Sequence, residues 1–123
     1  MDDLKTVRVS ISEYVATVTM DNPPVNAQNQ QFHEDIMLAF DRLSDMDECR
    51  AVILTGQGRI FSAGADIKNR AGRAKGPGDG WQHSRRAREA FHSVMECTKP
   101  VIGALNGPAL GAGLAIAASC DIL

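Results

Sequence analysis

Asn106-Gly107-Pro108-Ala109-Leu110-Gly111-Ala112-Gly113-Leu114-Ala115-Ile116-Ala117-Ala118-Ser119 is the stretch from which the fold is read. It follows an apolar run, Val101-Ile102-Gly103-Ala104-Leu105, and continues from Ala112 in small and aliphatic helix formers. The expected order is strand, glycine turn, helix. Gly111 and Gly113 allow a sharp turn and a close backbone approach, with no Cβ in the way. The first residues of such a helix keep N–H groups without intrahelical acceptors at its positive end.

Phe61-Ser62-Ala63-Gly64-Ala65-Asp66-Ile67 repeats the design after a second apolar run, Ala51-Val52-Ile53-Leu54-Thr55. Two helix N-termini fed by parallel strands can aim two backbone N–H groups at one oxygen. That is the construction of an oxyanion hole.

Working outward, Val7, Val9 and Ile11 alternate with polar residues, as do Val15, Thr17 and Thr19, with a tight hairpin expected at Ser12-Glu13. Asn22-Pro23-Pro24 marks a loop. From about Gln28 the period becomes helical, with Phe32, Ile36, Ala39, Phe40 and Leu43 on one face and Asn26 or Asn29 as N-cap. Glu34, Asp35, Asp41, Asp45, Asp47 and Glu48 read as a solvated helix face and following loop rather than a cation site. Ala51–Thr55 and Val101–Leu105 are apolar without alternation, as in strands covered on both faces. Gly72–Gly80 holds four glycines and Pro77 and reads as a mobile loop. A helix over Trp81–Glu96 follows, with Ala87, Phe91, Val94 and Met95 facing inward. Strands separated by helices imply an α/β fold with a mostly parallel sheet and right-handed crossovers.

The 123 residues suffice for one domain, and 44% apolar residues with a net charge of −2 describe a soluble globular protein. No run approaches the roughly 18 apolar residues of a membrane span, and no signal peptide is visible. Cys49, Cys97 and Cys120 are odd in number without CxxC spacing, which suits reduced thiols and a cytoplasmic location. Neither these cysteines nor His33, His83 and His92 form a close metal-ligand pair.

Five segments in order resemble the crotonase superfamily of enoyl-CoA hydratases and isomerases: Asn22–Ala27, Ala51–Gly56, Phe61–Ile67, Lys99–Ile102 and Asn106–Ile122. The resemblance implies a crotonase-like ββα superhelix, with residues 1–123 as the N-terminal half of a single acyl-CoA-binding domain. It implies that the backbone N–H groups of Ala65 and Ala112 bind the thioester carbonyl of an acyl-CoA, and that Gly64, Gly111 and Gly113 hold the turns. Ala27, Ala63, Asp66, Ile67 and Lys68 fall at CoA-binding positions. Coenzyme A enters as the substrate thioester, with no permanently bound cofactor. The family assembles as trimers or pairs of trimers, so a homo-oligomer is expected, with no nucleic-acid or membrane partner. Asp121-Ile122-Leu123 reads as the start of a further, unpaired strand, which marks the chain as a fragment, inactive alone and stable only when associated.

One departure bears on the reaction. Hydratases of the superfamily carry a Glu three residues after the second donor, and that position here is Ala115. Two-carboxylate hydration then lacks one of its acids, which favours isomerase-like or other one-acid chemistry, with the acid further along the fold. Lys68, Arg70, Arg73, Lys75, Arg85, Arg86 and Arg88 form a basic stretch suited to CoA phosphates, although a solvated surface explains most of them. His83 lies where some crotonase-like dehalogenases carry a helical His, but it and His92 read as surface residues. Gly107–Gly113 also fits the G-x3-G-x-G spacing of a dinucleotide-binding oxidoreductase, a turn that ordinarily closes the first strand of its domain. A catalytically silent CoA-binding protein is the other alternative.

Overall fold

The computed structural model describes residues 1–66 and 78–123. β1 (Val7–Ser12) and β2 (Val15–Met20) form an antiparallel hairpin closed by Glu13 and Tyr14, both at positive φ (50° and 67°). Two such residues give the turn whose twist matches paired strands. Ser12 is therefore the last strand residue rather than part of the turn. The buried residues of β2 are Ala16, Val18 and Met20, those between Val15, Thr17 and Thr19.

β3 (Ala27–Gln28) leads into α1 (Gln30–Ser44). Asn29, not Asn26, caps this helix, its Oδ1 accepting the Phe32 N–H at 2.8 Å. β4 (Ala51–Gly56) and β5 (Gly64–Ala65) precede α2 (Asp79–Met95), followed by β6 (Val101–Gly103) and α3 (Ala112–Ala118). The main sheet runs β1-β2-β4-β6, with β2, β4 and β6 parallel, and β3 and β5 form a second, two-stranded parallel sheet. The α/β architecture with a mostly parallel sheet is the one expected.

Phe32, Ile36, Ala39, Phe40 and Leu43 of α1 are fully buried, and all but Ala39 share one cluster with Val18, Met20, Val52, Leu54 and Val101 of the sheet and Ala90 and Val94 of α2. Each large side chain on that face stabilises the fold by about 1.5–3 kcal/mol.

Several details differ from expectation. Asp35 is buried rather than solvated, because its carboxylate accepts from the Lys5 and Thr6 N–H groups, the Thr6 hydroxyl and the Gln31 amide at 2.7–3.0 Å. Burial alone would raise its pKa, but the hydrogen bonds outweigh that and lower it. In α2, Ala90 takes the inward place expected for Met95, which is 48% exposed. β4 and β6 are covered on one face by the described residues: Val52, Leu54 and Val101 are buried, whereas Ile53 is half-buried and Ile102 exposed. Asp121-Ile122-Leu123 does begin a further stretch of sheet. It is paired, with Ile122 parallel to Ile102 and its carbonyl accepting the Gly103 N–H at 2.7 Å.

Candidate active site

The two glycine turns are built from sequence-distant parts and meet. Gly64 has φ +92°, and a Cβ there would lie 2.7 Å from the Leu110 carbonyl oxygen and 3.1 Å from the Ala112 nitrogen. The backbone of the first turn thus rests directly on the start of α3. Gly111, at φ +55°, is the N-cap of α3, so Ala112 is its first helical residue. The Ala112 N–H has no intrahelical acceptor by position. Gly113 faces Ser62, whose carbonyl oxygen leaves no room for a Cβ. The Leu110 N–H donates to that same oxygen at 3.0 Å.

Ala65 sits in β5 beside Gln28. The Asp66 N–H donates to the Gln28 carbonyl at 3.0 Å. Successive amides of a strand point to opposite edges, so the Ala65 N–H is turned away from β3. The loop before β5 is held by two asparagines. Asn26, at φ +54°, donates its amide to the carbonyls of Gln57, Ile60 and Phe61, and Asn106 donates to those of Gly58 and Ile60. Expected only as a candidate cap, Asn26 is instead a buried brace for the first turn.

Of the other expected positions, Ala27 pairs with Gly64, and the Ala63 N–H donates to the Val25 carbonyl. Both alanines and Asp66 are half-buried beside the turn. Ile67 and Lys68 lie outside the described residues, as do Arg70, Arg73, Lys75 and the helix expected after Ala65. On α2, Arg85 is 4.0 Å from Glu89, and Arg88 lies over the Trp81 ring. Ala115 is half-buried on the first turn of α3. Among the described residues no group of three or more His, Cys, Asp or Glu is arranged to hold a metal ion. No helix there is long and apolar enough to cross a membrane.

Behind the turns is a polar cluster that sequence reading missed. Gln28, fully buried, donates its amide to the Ala112 carbonyl at 3.0 Å and to Ser62 Oγ at 3.3 Å. Ser62 Oγ also accepts the Gly64 N–H at 3.2 Å and donates to the Asn26 carbonyl at 2.8 Å. His33 Nε2 is 3.3 Å from Gln28 Oε1. Burial, then the charges of His83 and Arg86, lower the His33 pKa from 6.5 to about 4. The half-buried His83 ring packs 5.7 Å from it, so His83 is not the surface residue expected. His92 is, exposed beside Glu96. The signal available was the polar run Asn26-Ala27-Gln28-Asn29, set between a proline loop and an apolar helix face.

The model of the Enoyl-CoA hydratase/isomerase family matches residues 10–123. The chain belongs to that family. Among its enoyl-CoA hydratase/isomerase relatives is a Bacillus subtilis protein named "Probable enoyl-CoA hydratase", 34% identical over 119 residues, 97% of this chain and 46% of that one. The human mitochondrial Delta(3,5)-Delta(2,4)-dienoyl-CoA isomerase is 32% identical over 123 residues, covering 92% of this chain and 38% of its own. The fold matches that of Pseudomonas aeruginosa DspI, with a TM-score of 0.89 at 32% identity over 99% of this chain and 50% of that one. An enoyl-CoA hydratase from Bacillus anthracis gives 0.88 at 28% identity, over 95% and 46%. The chain spans about half the length of these proteins or less. Its fold is accordingly that of crotonase-like enzymes.

Proposed function

We propose that this protein is an acyl-CoA enzyme that stabilises a thioester enolate between the backbone N–H groups of Ala65 and Ala112. The observation that carries the reading is the contact between the two turns, with Gly64 against the Leu110 carbonyl and the Ala112 nitrogen. One N–H at a helix start and one turned out of a short strand then lie on adjoining backbone. Removing the α-proton of an acyl-CoA, or adding a nucleophile to its enoyl form, places negative charge on the thioester oxygen. Fixed donors aimed at that oxygen are stronger partners for the enolate than for the neutral carbonyl, which is what lowers a barrier. Each such donor is worth about 2.7–4 kcal/mol in the transition state.

The reaction assigned is isomerase-like or another one-acid proton transfer, because Ala115 supplies no carboxylate on the first turn of α3. The relatives carry both hydratase and isomerase names. Ala27, Ala63, Asp66, Ile67 and Lys68 are assigned to the CoA side of the site. The protein works as a cytoplasmic homo-oligomer in this reading, its exposed Ile102 and Ile122 face covered by association. The deciding experiment uses the protein as its gene encodes it. Isomerisation of a 3-enoyl-CoA faster than hydration of a 2-enoyl-CoA supports the assignment. Efficient hydration of a short 2-enoyl-CoA contradicts the one-acid reading, and tight acyl-CoA binding without turnover marks a silent binder.

A further inference from the structure

We infer that Gln28 is a positioning residue that clamps the two turns of the acyl-CoA site to each other, an inference that rests on the oxyanion reading above. Gln28 bonds to both turns. Its backbone carbonyl accepts the Asp66 N–H at 3.0 Å, immediately after Ala65, and its side-chain amide donates to the Ala112 carbonyl at 3.0 Å, 84 positions along the chain. The second amide hydrogen goes to Ser62 Oγ, which accepts the Gly64 N–H and donates to the Asn26 carbonyl. The hydroxyl and both amide hydrogens are then fully used.

The orientation of the amide follows from its partners. Turned over, Gln28 would set Oε1 against the Ala112 carbonyl, two acceptors facing each other, whichever tautomer His33 took. As placed, Oε1 accepts from His33 Nε2, so the neutral imidazole carries its proton there. The other nitrogen, His33 Nδ1, is buried without a hydrogen-bond partner among the described residues. An orphaned buried acceptor is destabilising, and an apolar ring at position 33 would fill the same space without it. Holding the Gln28 amide in one orientation is what the imidazole adds.

The clamp acts through Ala112. Fixing the carbonyl of the first helical residue fixes the residue whose N–H meets the substrate oxygen. A donor misplaced by about 1 Å costs on the order of a hundredfold in rate, and the loss falls mainly on kcat because the donor binds the enolate more strongly than the ground state.

The test compares wild type with Gln28→Met, which keeps length and shape and removes every side-chain hydrogen bond. A double variant, Gln28→Met with His33→Phe, leaves no orphaned polar group in the cluster and so preserves folding where the single variant fails to fold. Steady-state kinetics on a short enoyl-CoA are measured beside the infrared carbonyl band of a bound, unreactive acyl-CoA. The expected result is a kcat lowered about tenfold to a hundredfold, a KM little changed, and a carbonyl band moved back toward its free position. The double variant regains the melting temperature without regaining kcat or the band position, which a merely structural role for Gln28 would not produce. Wild-type kcat and band position in the double variant overturn the clamp alone. A wild type that neither turns over acyl-CoA nor shifts the carbonyl band overturns the oxyanion reading and the clamp together.

Discussion

The two glycine turns look alike in sequence, and the structure makes them unlike. Gly64 combines a positive φ of +92° with crowding, since its missing Cβ would strike the Leu110 carbonyl oxygen. Gly111 has the positive φ alone, with no atom of the described residues within 4 Å of where a Cβ would go. Gly113 has the crowding alone, against Ser62. The turns thus pack on each other through Gly64 and Gly113, whereas Gly111 is held by its own backbone conformation and by the helix it starts. A substitution in the first turn disturbs both, and one at Gly111 stays local.

The largest expected effect is on rate rather than folding. Ala112 is the first residue of α3, a position where proline fits a helix without loss of an internal hydrogen bond. Ala112→Pro removes the proposed donor and is expected to lower kcat about 10²–10³-fold while the melting temperature stays near that of wild type. A folded Ala112→Pro protein with wild-type kcat would remove the second turn from the chemistry.

Next come the glycines themselves. Strain at positive φ costs about 1–3 kcal/mol, and overpacking of a close contact adds about 1–3 kcal/mol. Gly64→Ala should therefore destabilise by roughly 2–6 kcal/mol and Gly111→Ala by roughly 1–3 kcal/mol. Paired denaturant titrations check the order. Equal losses would mean that crowding at Gly64 relaxes and that the turns are alike after all.

A smaller effect, dependent on pH, comes from His33 behind both turns. Its pKa is depressed from 6.5 to about 4, so the folded state favours the neutral ring and the unfolded state takes up the proton first. Its contribution is fully present above pH 6.5 and is lost as pH falls from there toward 4, by on the order of 3 kcal/mol. Thermal midpoints across that range should fall in wild type and fall less in the His33→Phe, Gln28→Met double variant. Parallel profiles would take His33 out of the pH response.

The smallest expected change is at the α1 cap, one residue beyond Gln28. Asn29→Ala removes the α1 cap and should cost about 1 kcal/mol with kcat unchanged. A drop in kcat would show that α1 also sets the geometry of the turns.

What was legible in the sequence follows from range. The α1 face, the Asn29 cap and both glycine turns rest on residues a few positions apart, where period and capping act directly. Asp35 misled because its acceptor role is set by Lys5 and Thr6, some 30 positions away. Gln28 and Ser62 were silent for the same reason, and strands of two residues such as β3 and β5 carry no alternation to read. The apolar runs located β4 and β6, although β6 ends at Gly103 rather than Leu105, and cover on their second face is not supplied by the described residues. The donor pairing of Ala65 and Ala112 was suggested by resemblance, and one direct observation tests it.

That observation is the amide chemical shift of Ala65 and Ala112 in the 15N-labelled protein during titration with an unreactive acyl-CoA. The account predicts that both N–H protons move downfield together on binding, and that a thioether analogue lacking the carbonyl binds without moving them. If acyl-CoA binds and both signals stay in place, or if the thioether moves them equally, the thioester oxygen does not lie between these two donors.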